Sequence, residues 1–528
     1  MSKKNFGKRE HHKKYNNDIC NPEMKFQECE LAILRHAVDE SEKIQGEKVA
    51  NSDEIRHIIS VLEQFLKRKK CICYGGTAIN NILPKFAQFY NRELEIPDYD
   101  FYSMTPMEDA IELADIYYKG GYTEVEAKAG VHYGTYKVFV NFIPIADITL
   151  LNKEIFTSIF KEAIQVDGIY YSPPNFLRMN MFLELSRPAG DVSRWEKVLK
   201  RITLLNKYFP FKPEIPCTKI DFDDNVNEIG PSEKIYYITR DAFIDQGVVF
   251  FGGYASSLYS KYMSSVERRK VQSIPDFDVI SEEPDKCAIL VIEKLLQNGY
   301  KNVKHIVHEE IGEIIPKHIE IRVGKETIAF IYYPVACHNY NIIHMHNRKI
   351  KVATIDTILS FYLAFYYSNQ PYYHKDRIIC MAKFLFDLEQ KNRLEQKGLL
   401  KRFSINCYGK QSTLSSIRAE KTEKYRELKN KQNSHEFKEW FLNYKPHTTI
   451  KVAKNPNEKK LDKLYTPDLE DKEPSKEQVY KKILDSVTES KKTMSSSIKP
   501  KQHNTKRKHT IKSNKHRTQK SKSNVKNK

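Results

Sequence analysis

Apolar and polar positions along the chain alternate with two different periods, and the switches between them mark its elements. Residues 71–74 (Cys-Ile-Cys-Tyr) form a short apolar run of the kind a buried strand shows. Gly75-Gly76-Thr77 breaks the run. From 78 to 90 the apolar residues Ile79, Ile82, Leu83 and Phe86 recur at helical spacing, with Pro84 placed to kink or shorten that helix. After Pro97, residues 98–103 read as a second strand. Upstream, 23–44 and 53–67 carry helical periodicity, and Ser52 is placed to cap the second of these helices. Downstream, a helix at 106–119 is closed by Gly120-Gly121, and alternating runs at 122–127, 133–140 and 142–150 predict strands. Residues 175–209 read as two helices interrupted at Pro188-Ala189-Gly190. Two more helices are expected at 349–367 and 376–388. The predicted fold class is mixed α/β (α+β), with small sheets flanked by helices.

Candidate chemistry sits on the predicted strands. Asp98 and Asp100 are two apart, so on a strand their carboxylates share a face while Tyr99 points the other way. Like charges this close are unfavourable without a cation between them. Asp147 lies inside the otherwise apolar run 142–150, where a lone carboxylate is costly unless paired. Taken singly, each has an ordinary reading as a turn cap or a salt-bridge partner. Taken with Gly75-Gly76-Thr77, they suit nucleotidyl transfer. Three carboxylates hold two divalent ions ~3.5–4 Å apart, one for the attacking hydroxyl and one for the leaving pyrophosphate. A Gly-Gly turn at a helix start lets backbone N–H groups approach a triphosphate, and Thr77 adds a hydroxyl. The chain contains no G-x-x-x-x-G-K-[ST] sequence, which disfavours a P-loop ATPase.

Composition narrows the class further. Charged residues are 29% of the 528 and apolar residues 40%, and the longest apolar run, 358–367, is far short of a membrane span. No apolar core follows the basic N-terminus, so no secretory signal is expected. Nine scattered cysteines without a C-x-x-C pair predict an intracellular reducing compartment rather than a disulfide framework, with Cys71 and Cys73 as small core residues. Of the net charge of +19, fourteen Lys and Arg with no Asp or Glu lie at 491–528, which leaves +5 for the rest. That tail is too polar to bury a core and reads as disordered, either a solubilising or nuclear-type segment or an electrostatic hold on a polyanion.

The segments Tyr74-Gly75-Gly76-Thr77-Ala78-Ile79-Asn80, Pro97-Asp98-Tyr99-Asp100-Phe101 and Ala146-Asp147-Ile148 resemble the DNA polymerase β-type nucleotidyltransferase superfamily. Together with Ser193-Arg194-Trp195-Glu196-Lys197 they resemble the poly(A) polymerase catalytic subunits of large DNA viruses, in particular the mimivirus group, with poxvirus enzymes as distant relatives. The resemblance covers about residues 50–450. It implies Asp98, Asp100 and Asp147 as ligands of Mg²⁺ or Mn²⁺, and Gly75, Gly76 and Thr77 as contacts to ATP phosphates. It also implies an mRNA 3′ end as acceptor, a homodimer or processivity partner, no membrane, and a place in the host cytoplasm and the virion. The loop between Gly76 and Asp98 is longer than in many cellular relatives. Base choice stays open, so a uridylyl- or CCA-adding enzyme is an alternative, as is a catalytically dead RNA-binding scaffold.

The second half echoes the first. Phe250-Phe251-Gly252-Gly253-Tyr254-Ala255 parallels the Gly-Gly segment, and Ile274-Pro275-Asp276-Phe277-Asp278-Val279 parallels the Asp-x-Asp segment. The spacing agrees: 22 positions from Gly76 to Asp98 and 23 from Gly253 to Asp276. Aligning 326–332 with 143–149 places Phe330 opposite Asp147, and Tyr254 replaces Thr77. The expectation is a degenerate second unit without a metal site. The chain then divides into a basic lead-in (1–22), a catalytic unit (23–209), the degenerate unit (210–450), a charged linker (451–490) and the basic tail (491–528). Cys337, His338, His344 and His346 form a Cys/His patch whose spacing is loose for zinc. Arg178, Arg187, Arg194, Lys197 and Lys200 are basic positions for triphosphate or RNA, with ordinary surface charge the equal alternative. Residues 404–421 carry no assignment.

Overall fold

The computed structural model describes residues 19–446 apart from 21–23, 51, 92, 94, 221–232, 272–275, 313, 346 and 393–394. The linker, the tail, His346 and nearly all of the lead-in lie outside the described residues.

Two helices, α1 (Phe26–Ala50) and α2 (Asp53–Lys69), open the chain. Ser52 caps α2 by accepting from Ile55 N–H, and Ile55, Ile58, Leu62, Phe65 and Leu66 face the core as their spacing predicts. Strand β1 (Ile72–Tyr74) then runs directly into α3 (Gly75–Ile82). The helix expected at 78–90 thus begins earlier, on the glycines themselves, and is shorter. Leu83 is extended (ψ 150°), as the residue before a proline must be. Next come β2 (Tyr99–Ser103), α4 (Pro106–Lys119), β3 (Val125–Ala129), β4 (Thr135–Val140), β5 (Ile143–Leu150) and α5 (Lys153–Lys161). A hairpin of β6 (Ile164–Val166) and β7 (Ile169–Tyr171) turns through Asp167-Gly168, both at positive φ. Helices α6 (Pro174–Leu185) and α7 (Trp195–Tyr208) follow, flanking the predicted interruption.

The second half begins with α8 (Glu233–Gln246), β8 (Val249–Phe251), α9 (Gly252–Tyr259), α10 (Ser265–Val271), β9 (Phe277–Ile280) and α11 (Pro284–Gln297). Three antiparallel neighbours come next, β10 (Val303–His308), β11 (His318–Val323) and β12 (Glu326–Tyr332). The hairpin of β13 (His338–Met345) and β14 (Arg348–Ala353) leads into α12 (Ile355–Ser368) and α13 (Lys375–Lys391). The helix expected at 349–367 is therefore a strand up to Ala353, and Thr354 caps α12 by accepting from Thr357 N–H. The chain continues through β15 (Cys407–Tyr408), α14 (Leu414–Leu428), α15 (His435–Phe441) and β16 (Asn443–Tyr444).

These strands make two eight-stranded mixed sheets, ordered β16-β3-β4-β5-β2-β1-β7-β6 and β10-β11-β12-β9-β8-β14-β13-β15. Removing the edge strands β16 and β15 leaves seven strands in the same order in both. The parallel pairs β2/β5 and β1/β7 recur as β9/β12 and β8/β14. The short motifs that suggested a repeat therefore belong to a repeat of the whole sheet. Both sheets are larger than the alternating runs alone predicted, because each gains a hairpin and an edge strand. Helix α6, which follows the first hairpin, packs along α12, which follows the second, with Phe176 edge-on to Tyr367 at 5.4 Å.

The cysteines depart from expectation. Cys20–Cys29, Cys217–Cys380 and Cys337–Cys407 are disulfides, with Cα separations of 5.3, 5.6 and 5.2 Å. Pairing requires close approach in space, and a 163-residue separation hides that from the sequence. Cysteine usage thus does not support the reducing-compartment reading. Cys71 and Cys73 are buried free thiols, as expected of core residues. Among the described residues no helix is long and apolar enough to cross a membrane.

Candidate active site

The site forms where β1, β2, β5 and β4 lie side by side. Asp100 on β2 is in register with Tyr74 on β1 and with Asp147 on β5, and Asp147 is opposite Lys137 on β4. Residues opposed in this way project from the same face of a sheet. Asp98 stands one residue ahead of β2 rather than within it. Thr77 Oγ1 donates to the Asp98 carbonyl at 2.5 Å, which fixes the approach to the strand. Thr77 is buried, so its hydroxyl serves the backbone here. Tyr99 points to the opposite face, fully buried, and its O–H donates to Glu63 at 2.6 Å.

Both glycines have side chains packed close against them, and Gly75 also needs its positive φ. Gly75 has φ +72°, and a Cβ there would sit 2.5 Å from Asp100 Oδ2. A Cβ on Gly76 would lie 2.7 Å from both the Arg201 guanidinium and the Tyr90 hydroxyl. The long Gly76–Asp98 connection is closed by Asn80, whose Oδ1 accepts from the N–H groups of Phe89 and Tyr90 at 2.8 Å each. This brings Tyr90 back to α3, where its hydroxyl accepts from Arg201. The Arg201 guanidinium lies 5.4 Å from the Phe89 ring centre and 5.7 Å from that of Tyr90. A cation is thereby fixed at the start of α3.

Burial and the neighbouring negative charges of Asp98 and Asp147 push the Asp100 carboxyl up to about 7, with Lys137 and Arg194 acting in the opposite direction. Asp98 is raised as well, by burial and by Asp147. Lys137 Nζ forms an ion pair with Asp147. Among the described residues no three His, Cys, Asp or Glu side chains are drawn into a metal cage.

The basic candidates separate into different roles. Arg178 is buried and donates to Asn206, Asn175 and the Leu205 carbonyl beneath the Phe211 ring, so it is a structural group. Lys200 pairs with Glu196 on the surface of α7. Arg194 and Lys197 act on the carboxylates through their charge, and Arg194 also bonds Glu184. Lys137, Arg201, Tyr90 and Asn80 were not singled out from the sequence. Their roles depend on strand register and loop closure, which leave no local signal. In the Cys/His patch, Cys337 is committed to a disulfide and His338 is fully buried, so no zinc site forms from that pair.

Residues 60–191 match the family model described as "Poly(A) polymerase catalytic subunit", and this stretch contains both glycines and all three aspartates. The chain resembles the viral poly(A) polymerase catalytic subunits. It is 33% identical over 227 residues to a protein of Acanthamoeba polyphaga mimivirus assigned as such a subunit, covering 40% of this chain and 36% of that one. A counterpart from African swine fever virus (strain Badajoz 1971 Vero-adapted) is 33% identical over 183 residues, covering 34% and 38%. These matches span little more than a third of the relatives' own length. The crystal structure of the Megavirus polyadenylate synthase superposes with a TM-score of 0.67, covering 86% of this chain and 91% of that one. At 19% identity it establishes a shared fold.

Proposed function

We propose that the chain is a poly(A) polymerase catalytic subunit, adding adenylates from ATP to the 3′ ends of mRNA at Asp98, Asp100 and Asp147. One observation carries the reading. Asp100 and Asp147 face each other across adjacent parallel strands, with Asp98 beside them and the Gly75-Gly76 helix start against Asp100. Three carboxylates are hard oxygen donors of the kind Mg²⁺ and Mn²⁺ take, and a bound cation relieves the repulsion that raises Asp100. The residues fit the metal. When bound, it supplies activation of the attacking hydroxyl and charge stabilisation at the leaving group.

The chain's own groups do the rest. Backbone N–H groups at the start of α3 receive the triphosphate, favoured by the helix dipole, and Arg201 neutralises it from the side. Lys137 holds Asp147 on the reacting face and balances its charge. The basic tail at 491–528 holds RNA electrostatically. A homodimer or processivity partner, action in the host cytoplasm and packaging in the virion belong to the same proposal.

The test is extension of a labelled RNA primer by purified protein with each single NTP, in Mg²⁺ and in Mn²⁺. Extension with ATP alone supports the reading. A preference for UTP, or CCA addition, replaces it with another terminal transferase. No extension under any condition leaves an RNA-binding scaffold.

A further inference from the structure

The first sheet has a covered edge where the second sheet has a bare one. Strand β3 starts the run of seven strands common to both sheets, and β10 holds its place in the second. In the first half the chain's own C-terminal segment closes β3. Asn443 and Tyr444 of β16 pair antiparallel with Lys128 and Ala127, and Ala129 N–H donates to the Leu442 carbonyl at 2.8 Å. Helix α15 packs on the same strand. Two side chains fasten this cover: Lys445 pairs with Glu126 at 2.5 Å, and the Tyr444 hydroxyl donates to Asp115 on α4 at 2.6 Å.

Carrying the register outward from Asp147 and from Phe330 matches Lys128 with Ile306, Ala127 with His305 and Glu126 with Lys304. On β3, Val125 and Ala127 are buried, whereas Lys304, His305, Ile306 and Val307 of β10 are all exposed. Among the described residues no strand pairs with the outer side of β10. Its six residues pair with β11 without a bulge, and it contains no proline. A straight edge of this kind offers a row of N–H and C=O groups to an added strand. The neighbouring helix shows the same contrast. Helices α4 and α11 both start at a proline and run 14 residues, so Ile111 and Asp115 correspond to Ile289 and Glu293. The first two are half-buried and the second two exposed. Leu296, also exposed, continues the face of Ile289 and Glu293 at i+7.

Charge decides what fits. In the first sheet the covering strand brings a lysine to Glu126. Lys304 stands at that place in the second, so the sign is inverted and the matching residue is acidic. Glu293 keeps the carboxylate that receives a tyrosine hydroxyl in the first half, and Ile306 replaces the lysine opposite Asn443 with an apolar side chain. We infer that β10 and α11 form a docking surface for an extended segment of a partner protein. That segment adds antiparallel to β10, with an acidic residue opposite Lys304, a tyrosine opposite His305 and an apolar residue opposite Ile306. The inference goes beyond the poly(A) reading and does not rest on it.

The probe is a fluorescein-labelled peptide of residues 439–446 carrying Asn443→Val and Lys445→Glu, offered to the full chain and followed by anisotropy. It should bind about fivefold tighter than the same peptide retaining Lys445, and Lys304→Glu in the full chain should reverse that order. A thermal melt confirms that the Lys304 variant is folded. N-methylating the peptide's backbone amides on the side that meets β10 should abolish binding, since it removes the ladder donors. No binding at about 1 mM, equal affinity of the two peptides, or unchanged affinity after N-methylation overturns the inference. The other occupants are tested with p-benzoylphenylalanine in place of Val307, irradiated in the full chain without peptide. A cross-link to a second copy, or to residues 447–528, as the main product overturns the assignment to an acidic partner. A chain that forms neither, and is labelled by the acidic peptide when it is added, supports it.

Discussion

A line across each sheet at the level of the second carboxylate passes through two rows of side chains. In the first sheet the row is Lys128, Lys137, Asp147, Asp100, Tyr74; in the second it is Ile306, Glu320, Phe330, Asp278, Phe251. Only the aspartate of β2 and β9 is common to both. The glycine beside it is kept too: Gly252 has φ +62°, and a Cβ on it would press on Asp278 harder still than one on Gly75 would on Asp100. Asp278 accepts from Gly253 N–H, and burial together with Asp276 holds its carboxyl well above the usual carboxylate range. The Asp–Gly pair is therefore part of how this sheet joins its helix. The third carboxylate and the lysine opposite it are not needed for the fold. In the second sheet their places are taken by Phe330, packed against Tyr372 at 5.4 Å, and by Glu320, turned to His308, Arg322 and Thr327.

The largest expected effect separates chemistry from scaffold. Asp147→Asn should lower single-turnover AMP addition at least ten-thousandfold, about 5 kcal/mol of transition-state stabilisation, with little change in melting temperature. Asp278→Asn should stay within about threefold of wild type, since Asn keeps the shape of the side chain and an oxygen to accept from Gly253 N–H. A hundredfold loss in the Asp278 variant with an unshifted melt would make the second site catalytic.

Rebuilding the missing carboxylate sharpens the comparison from the other side. Phe330→Asp would bury an unpaired charge between Asp278 and Glu320 and should cost about 3–5 kcal/mol of stability. It should add no catalytic turnover when Asp147→Asn is also present. Rescue of extension in that double variant would show that the second sheet retains a usable phosphate site.

The glycines should respond in opposite currencies. Gly75→Ala should lower the rate at saturating ATP by about a hundredfold (roughly 2.7 kcal/mol), because it displaces the Asp100 carboxylate. Gly252→Ala should lower stability by about 2 kcal/mol and leave the rate near wild type. Equal effects of both changes on both readouts would dissolve the distinction.

The smallest effect is a pH slope peculiar to the second sheet. His318 is buried against the Tyr332 ring and its imidazole is pushed down to about 4 by that burial. Between pH 6.5 and 4 the unfolded chain therefore binds a proton that the folded chain refuses, and stability falls as pH falls through that window. His318→Gln should flatten the acid side of a plot of melting temperature against pH, by at most about 1.4 kcal/mol per pH unit. An unchanged slope would mean that this histidine is already protonated in the fold.

Much of this was legible in the sequence because it is local. Two-residue spacing put Asp98 and Asp100 side by side, Ser52 announced its helix, and motif spacing alone paired Phe330 with Asp147. What could not be read depends on distant pairings. Strand register brings Lys137 to Asp147, loop closure through Asn80 brings Tyr90 and Arg201 to Gly76, and chain reversal over 163 residues brings Cys217 to Cys380. One further feature is local. Asp167-Gly168 between Val166 and Ile169 carries the sequence signature of a two-residue hairpin, but strands of three residues each are too short to show an alternating pattern.

The packing of α6 along α12 has a consequence for how the two halves can change. Equivalent elements meeting one another is the mark of a two-fold contact, in which a patch recognises its own copy. In a dimer of identical chains any substitution on such a patch appears on both sides at once, so a change tolerated on one side must be tolerated on the other. Joined in a single chain, the two sides mutate separately. Phe176 and Tyr367 can be tuned to each other as a lock and its key. One half is free to give up its third carboxylate and become, in effect, a permanently attached subunit of the other.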